Sequence, residues 1–337
     1  MSRGSLSVKK LFVTALVCAA ALAVCVLLSL AFGSRPISFS AFINGLRRAD
    51  SGLIEEIVVR ERIPRTVFGL LAGASLGVSG ALMQAVTRNP IADPGILGVN
   101  TGAAFAVVCG VAFLGISRPS EYIWLALGGA AISAAIVYAI GSSGHGGATP
   151  IKLALSGAAF SAAVSSLTSA VLLPRERALN TFRFWQVGGV GGATWDGMLT
   201  IAPFLAAGLL LGLLSSPSLN AIALGDDVAA SLGVRTGRAR VISAAAGVLL
   251  CGATTALAGP IGFVGLMVPH AVRLIVGADQ RKILPLSAVG GAALLTLSDI
   301  IGRILGRPGE LEVGVVTAFI GAPALIAIAM RSKVKHL

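Results

Sequence analysis

Residues 197–225 carry no charge, and neither do residues 241–272. An uninterrupted apolar run of about 20 residues matches the hydrocarbon thickness of a bilayer, and there only a helix satisfies its own backbone. Two such runs on either side of one short polar segment restrict the chain to an all-α, polytopic membrane fold. The rest of the sequence repeats the pattern. Of 337 residues, 55% are hydrophobic and 12% charged, about half the charged share of a soluble domain. The alternation of polar and apolar residues that a β-barrel needs is absent.

Charges bracket the spans. Residues 11–32, 66–87, 94–117, 122–151 and 153–174 form five apolar runs, and 197–215, 241–258, 261–277, 283–302 and 313–330 bring the expected number of transmembrane helices to ten. The first run is longer than a signal-peptide core of ~7–15 residues and reads as a retained helix. The chain reads as one transmembrane domain over 1–337, with a cytoplasmic segment at about 216–240. An even number of spans puts both termini on one side. Lys9, Lys10, Arg331, Lys333 and Lys335 argue that this side is the cytoplasm. Trp124, Trp185 and Trp195 then fall near the outer interface, where amphipathic rings prefer to sit. The arginines fit less well, because Arg47, Arg48, Arg60, Arg62, Arg65, Arg175, Arg177 and Arg183 also fall outside.

The formal charge of +12 marks helix flanks, since no long basic run interleaved with aromatics suggests nucleic acid. Cys18, Cys25, Cys109 and Cys251 lie in apolar runs without C-x-x-C spacing and read as packing residues. His145, His270 and His336 are far apart, so no metal site is expected. His270 follows Pro269 and reads as a packing residue beside a kink. No G-x-x-x-x-G-K-[ST] loop is present, so ATP hydrolysis by that route is not expected of this chain. An enzyme would need an acid–base or nucleophile cluster, and none occurs. An ion-coupled carrier usually keeps ionisable groups near mid-membrane, and here only Asp299, close to a span end, comes near that description. An ion-coupled carrier and a channel are the alternative readings.

The polar island between the uncharged runs 197–225 and 241–272 is the most informative segment. Leu224, Val228 and Leu232 recur every fourth residue and share one helical face. Gly225 suits the N-cap position, Asp226 and Asp227 the first turn, and Gly233 the termination. Arg235, Arg238 and Arg240 follow as a cytoplasmic flank. The expected product is a two-turn amphipathic helix, either an ordinary loop or a surface on which another protein pushes. In the second span Gly69, Gly73 and Gly77 are spaced by four, with Gly80 on nearly the same face. In lipid, such a face draws helices together through close backbone contact. A weak internal echo links Leu71-Ala72-Gly73 to Leu257-Ala258-Gly259, the kind of repeat on which transporters are often built.

Four stretches together carry a resemblance. RIPRTVFGLLAGASLGVSGALMQAVTRNPIADPGILG, ALGDDVAASLGV, AGPIGFVGLMVPHAVR with its following ADQRKILP, and EVGVVTAFIGAP occur in this order between about Arg60 and Arg331. The chain resembles the FecCD-like permease subunits of ATP-binding-cassette importers for ferric siderophores, haem and cobalamin. The resemblance implies a ten-helix subunit of type II importer architecture in the bacterial cytoplasmic membrane. It implies a homo- or heterodimer with a second permease, the path lying between the copies. Two ATP-binding subunits, which hold the ATP and magnesium, and a periplasmic or lipid-anchored binding protein would complete the importer. The substrate would be a metal chelate, a ferric siderophore before haem or cobalamin. Leu224, Gly225, Asp226, Asp227, Val228, Ala229, Ser231, Leu232 and Gly233 would form the coupling region that meets the ATPase. Ser143 and Thr149 lie where the family has its cytoplasmic gate, and Arg62, Arg65 and Arg303 match the arginines that receive the binding protein.

Overall fold

The structure is a computed structural model that describes residues 8–47, 54–116, 119–143 and 149–333. Among the described residues all regular elements are helical. The chain begins with α1 (Val8–Ala31), the short α2 (Phe39–Leu46) and α3 (Ile54–Thr87). A 3-10 turn at Pro94–Leu97 leads into α4 (Val99–Phe113), followed by α5 (Pro119–Ser142), α6 (Pro150–Leu172) and α7 (Glu176–Val187). Then come α8 (Trp195–Ala223), the small α9 (Asp226–Ser231), α10 (Thr236–Ala258), α11 (Val264–Val276), α12 (Gln280–Leu305) and α13 (Val313–Lys333). Six of these, α3, α5, α6, α8, α10 and α12, are long and apolar enough to cross a membrane, and α1, α4, α11 and α13 contain shorter apolar stretches. Each expected span coincides with one of them.

Three features were not expected. The helices α2 and α7 lie outside the apolar runs. The run at 94–117 is broken near its start. There Asp93 Oδ1 accepts the Gly95 amide at 2.7 Å and caps the 3-10 turn. Gly98 then adopts φ +69°, which redirects the chain into α4, and a Cβ there would crowd the Ser133 hydroxyl at 2.6 Å.

Helix α3 is the most buried of the long helices and packs most extensively on α12, then on α10 and α11. Its glycines explain how. A Cβ on Gly73 would overlap the Gly291 carbonyl, one on Gly77 the Ser287 carbonyl, and one on Gly80 the Gly265 carbonyl. These helices therefore meet backbone to backbone, which in lipid supplies the attraction that the hydrophobic effect does not. Gly69 differs from the other three, because its nearest neighbour is the Thr296 hydroxyl at an ordinary 3.5 Å. Polar ties fix the register. The Ser79 hydroxyl donates to the Gly247 carbonyl at 2.5 Å, and Gln84 Nε2 donates to the Gly265 and Leu266 carbonyls at 3.3 and 3.2 Å.

The echo does not extend to local structure. Leu71-Ala72-Gly73 lies inside α3, whereas Leu257-Ala258 ends α10 and Gly259 leaves it at φ +72°. All four cysteines are free thiols. Trp124 and Trp195 are more than half exposed, as interface residues should be. Trp185 instead is buried and stacks on Phe182 with ring centres 5.8 Å apart.

Candidate functional site

The polar groups gather at the two ends of the bundle. At one end is the island. Gly225 turns the chain from α8 into α9 at φ +117°, a conformation that side chains rarely adopt. α9 spans six residues, shorter than the two turns expected. Its end is a Schellman arrangement: the Gly233 amide donates to the Ala230 carbonyl at 2.9 Å and the Val234 amide to the Ala229 carbonyl at 3.0 Å, with Gly233 at φ +82°.

Two contacts tether this helix. Ala229 is fully buried. Asp226 pairs with Arg88, at the end of α3, and with Arg240 of α10 at 2.9 Å, while Arg88 also donates to the Ile222 carbonyl. Asp226 thus joins three helices in addition to matching the helix dipole. Leu224, Val228 and Leu232 are 67%, 45% and 63% exposed, so the apolar face points away from the chain's own core. Nearby, Asn220 Nδ2 donates to Asp279 Oδ1 at 2.7 Å and Asn220 Oδ1 accepts the Gln280 amide at 2.8 Å. This reciprocal pair locks α8 to the start of α12.

Ser143 and Thr149 have local roles in the structure. The Ser143 hydroxyl donates to the Ile140 carbonyl at 2.6 Å, and its own carbonyl accepts Lys152 Nζ at 3.3 Å. Thr149 Oγ1 accepts the Lys152 amide at 3.4 Å as the N-cap of α6. Residues 144–148, His145 among them, and His336 lie outside the described residues. His270 is partly exposed on α11, and among the described residues no group of histidine, cysteine and carboxylate side chains could hold a metal.

At the other end, the arginines expected to stand free for a docking partner are bound to their own chain. Arg62 is 5% exposed and donates to the Leu30, Ala31 and Arg35 carbonyls at 3.0, 3.1 and 2.8 Å. Arg303 is 1% exposed. It donates to the Ser29 carbonyl and hydroxyl at 3.0 and 2.9 Å, and its Nε lies 3.0 Å from Asp299. Arg65 grips the same carboxylate, with NH2 at 2.7 Å from Asp299 Oδ1, and reaches Glu310 with NH1 at 2.5 Å. The expectation of three surface arginines fails because a buried carboxylate, Asp299, turns two of them inward and backbone carbonyls at the end of α1 turn the third. Only the Arg65–Glu310 contact reaches the surface.

Glu310 sits in the loop between α12 and α13. Its burial works to raise the carboxyl's pKa, but the Arg65 hydrogen bond and charge and the Ser34 hydroxyl at 2.8 Å outweigh it. They hold the group below its ordinary value. The signal for this network was present in the sequence: an acid inside an otherwise apolar run must find a cation, and Arg303 stands one helical turn from Asp299.

Comparisons with known proteins agree with this architecture. The profile of the FecCD transport family matches residues 21–331. The permease protein YfiZ of Bacillus subtilis (strain 168) is 45% identical over 282 residues, which cover 83% of this chain and 85% of that protein. The ferric enterobactin transport system permease protein FepD of Escherichia coli (strain K12) is 44% identical over 305 residues, 90% of this chain and 91% of that one. Among solved structures, a metal-chelate type ABC transporter in an inward-facing conformation superposes with a TM-score of 0.81 at 26% identity. The match covers 94% of this chain and 97% of the other.

Proposed function

The chain belongs to the FecCD transport family, and from that premise we propose that it is the membrane-spanning half of an importer for a ferric siderophore. Ten helices cross the bacterial cytoplasmic membrane, with both termini and α9 on the cytoplasmic side. A second permease, identical or a sister chain, completes the translocation path. Two ATP-binding subunits supply the hydrolysis with their own ATP and magnesium, and a periplasmic or lipid-anchored binding protein delivers the chelate. The surface around the Arg65–Glu310 contact is where that protein docks.

One observation carries the reading. α9 and the residues on either side of it present three apolar side chains outward, while Asp226 ties the helix to the ends of α3 and α10. A helix held in this way transmits a push from a partner into the bundle. Leu224, Val228 and Leu232 would enter the ATP-binding subunit, with Gly225 and Gly233 setting the turns on either side. Reconstitution with the ATP-binding subunits and binding protein in proteoliposomes tests the assignment. Radiolabelled ferric siderophore should enter only when ATP is hydrolysed. Leu232→Glu should abolish uptake without loss of thermal stability, since it alters a side chain already in solvent. Uptake that persists without the ATP-binding subunits, or unchanged uptake by the Leu232 variant, refutes it.

A further inference from the structure

Between α4, α6 and α7 lies a cavity of about 270 Å³, bordered on one side by Pro260. Its polar wall consists of Asn100, Thr101, Ser165, Thr168, Ser169 and Gln186, and none of its lining residues is charged. The larger neighbouring groove along α4 and α5 is lined almost wholly by apolar side chains. Two concave surfaces on the same helix thus differ sharply in chemistry, and lipid contact accounts only for the apolar one.

The hydrogen bonds of the wall have a direction. Asn100 Oδ1 accepts the Thr255 hydroxyl at 3.0 Å, and the Cys251 thiol lies 3.6 Å from the same oxygen. Both neighbours occupy the carbonyl side of the amide; its nitrogen, 3.9 Å from where a Gly95 Cβ would stand, keeps two N–H donors that neither of them uses. On the facing helix the hydroxyls give their protons to their own backbone. Thr168 donates to the Val164 carbonyl at 2.8 Å and Ser169 to the Ser165 carbonyl at 3.0 Å. Each oxygen keeps its capacity to accept. The cavity therefore offers donors from α4 and acceptors from α6. A group with a carbonyl beside an N–H or O–H satisfies both walls. A carboxylate would leave water and find no cation, which is strongly unfavourable. At ~30 Å³ of liquid volume per water, the space suits one arm of a chelate and excludes a whole one.

We propose that this cavity is a subsite for an uncharged, amide- or hydroxamate-bearing arm of the transported chelate. Asn100 is the donor, Thr168 and Ser169 are the acceptors, and Thr255 is the residue that positions Asn100. The proposal rests on the reading of the chain as a chelate importer and narrows its substrate class.

The test uses the complete importer in proteoliposomes with ATP supplied to its ATP-binding subunits. The probes are a ferric trihydroxamate, ferric dicitrate and haem. The wild type should carry the trihydroxamate. Asn100→Leu should raise its KM about tenfold with little change in kcat, the effect of losing one or two hydrogen bonds to a neutral group. Thr255→Val should raise KM about threefold, and Thr255→Ser should restore it, which a purely structural role for Thr255 would not produce. Should the Asn100 variant fail to assemble, Ser169→Ala on the exposed face of α6 provides the same reading with a smaller rise. Unchanged KM values in folded variants overturn the subsite and leave the importer reading intact. A wild type that carries only dicitrate or haem overturns the proposed substrate class alone. A wild type that hydrolyses ATP but carries none of the probes overturns both.

Discussion

The two ends of the bundle are built from the same kinds of charge and use them in opposite ways. Around Asp299 the groups are buried. The side chains of Asp299 and Arg303 are 4% and 2% exposed and that of Arg65 12%, and the Ser29 carbonyl and hydroxyl and the Glu310 carboxylate take further guanidinium protons. Around Asp226 the groups are partly exposed, with Asp226 at 45%, Arg88 at 39% and Arg240 at 25%. A buried pair is rigid because either partner alone would be intolerable there. An exposed pair is weak and reversible. The first arrangement fixes where α1, α3 and α12 meet. The second holds α9 in place through contacts that solvent and salt can weaken.

Breaking the buried end should give the largest effect. Asp299→Asn leaves two desolvated guanidinium groups without their shared carboxylate, and stability should fall by about 3–5 kcal/mol. Thermal unfolding in detergent reads this directly, and an unchanged transition would erase the contrast between the ends. Gly77→Leu strikes the helix that joins them. Its side chain would meet the Ser287 carbonyl, and overpacking of this kind destabilises by about 1–3 kcal/mol. A drop in yield of the assembled permease is expected, whereas Gly69→Ala, with its ordinary contact to Thr296, should be tolerated.

Asp226→Asn sharpens the comparison from the other side. With both partners exposed, the stability change should stay below about 1 kcal/mol, while ATP-driven uptake falls because α9 loses its tether. High salt should weaken uptake by the wild type in the same direction. The smallest effect belongs to Glu310→Gln, a few tenths of a kcal/mol at a rim-exposed pair. Its pH dependence is informative. The folded pKa of Glu310 lies below its ordinary value of 4.5. The contact's contribution is therefore complete above that value and is lost only as pH falls through the lower folded pKa. The variant should differ from wild type equally at about pH 5 and about pH 8. A difference that disappears by about pH 5 would mean that Arg65 does not hold this carboxylate.

Much of this was legible in the sequence. The charges that bracket each apolar run located the long helices, and the four-residue spacing of Gly73 and Gly77 identified the helix that others approach closely. The island could be read because glycine, paired aspartates and spaced leucines all point to one short helix. What could not be read was direction. Sequence puts Arg62, Arg65 and Arg303 near helix ends but cannot say whether they face water, because the partners of Arg62 and Arg65 come from helices distant in the chain. The same limit applies to Trp185, whose interfacial preference gives way to packing on Phe182. Helices α2 and α7 escaped notice because they are too short for an apolar run. The break at Gly98 was hidden inside one.

The glycine face of α3 has a mechanical consequence. Where side chains interlock, neighbouring helices cannot slide without unpacking; where backbones lie flush, they can. α3 meets α12 flush at Gly73 and Gly77, yet is bolted to it at one end by Arg65 and Asp299. Among the described residues no other ion pair joins α3 to α12, so a relative motion of the two helices would pivot about this one. Arg88, where α3 receives α9, lies roughly 35 Å farther along at ~1.5 Å per residue. A small displacement at α9 therefore acts at the end of a long lever arm, with its fulcrum at the opposite end of the bundle.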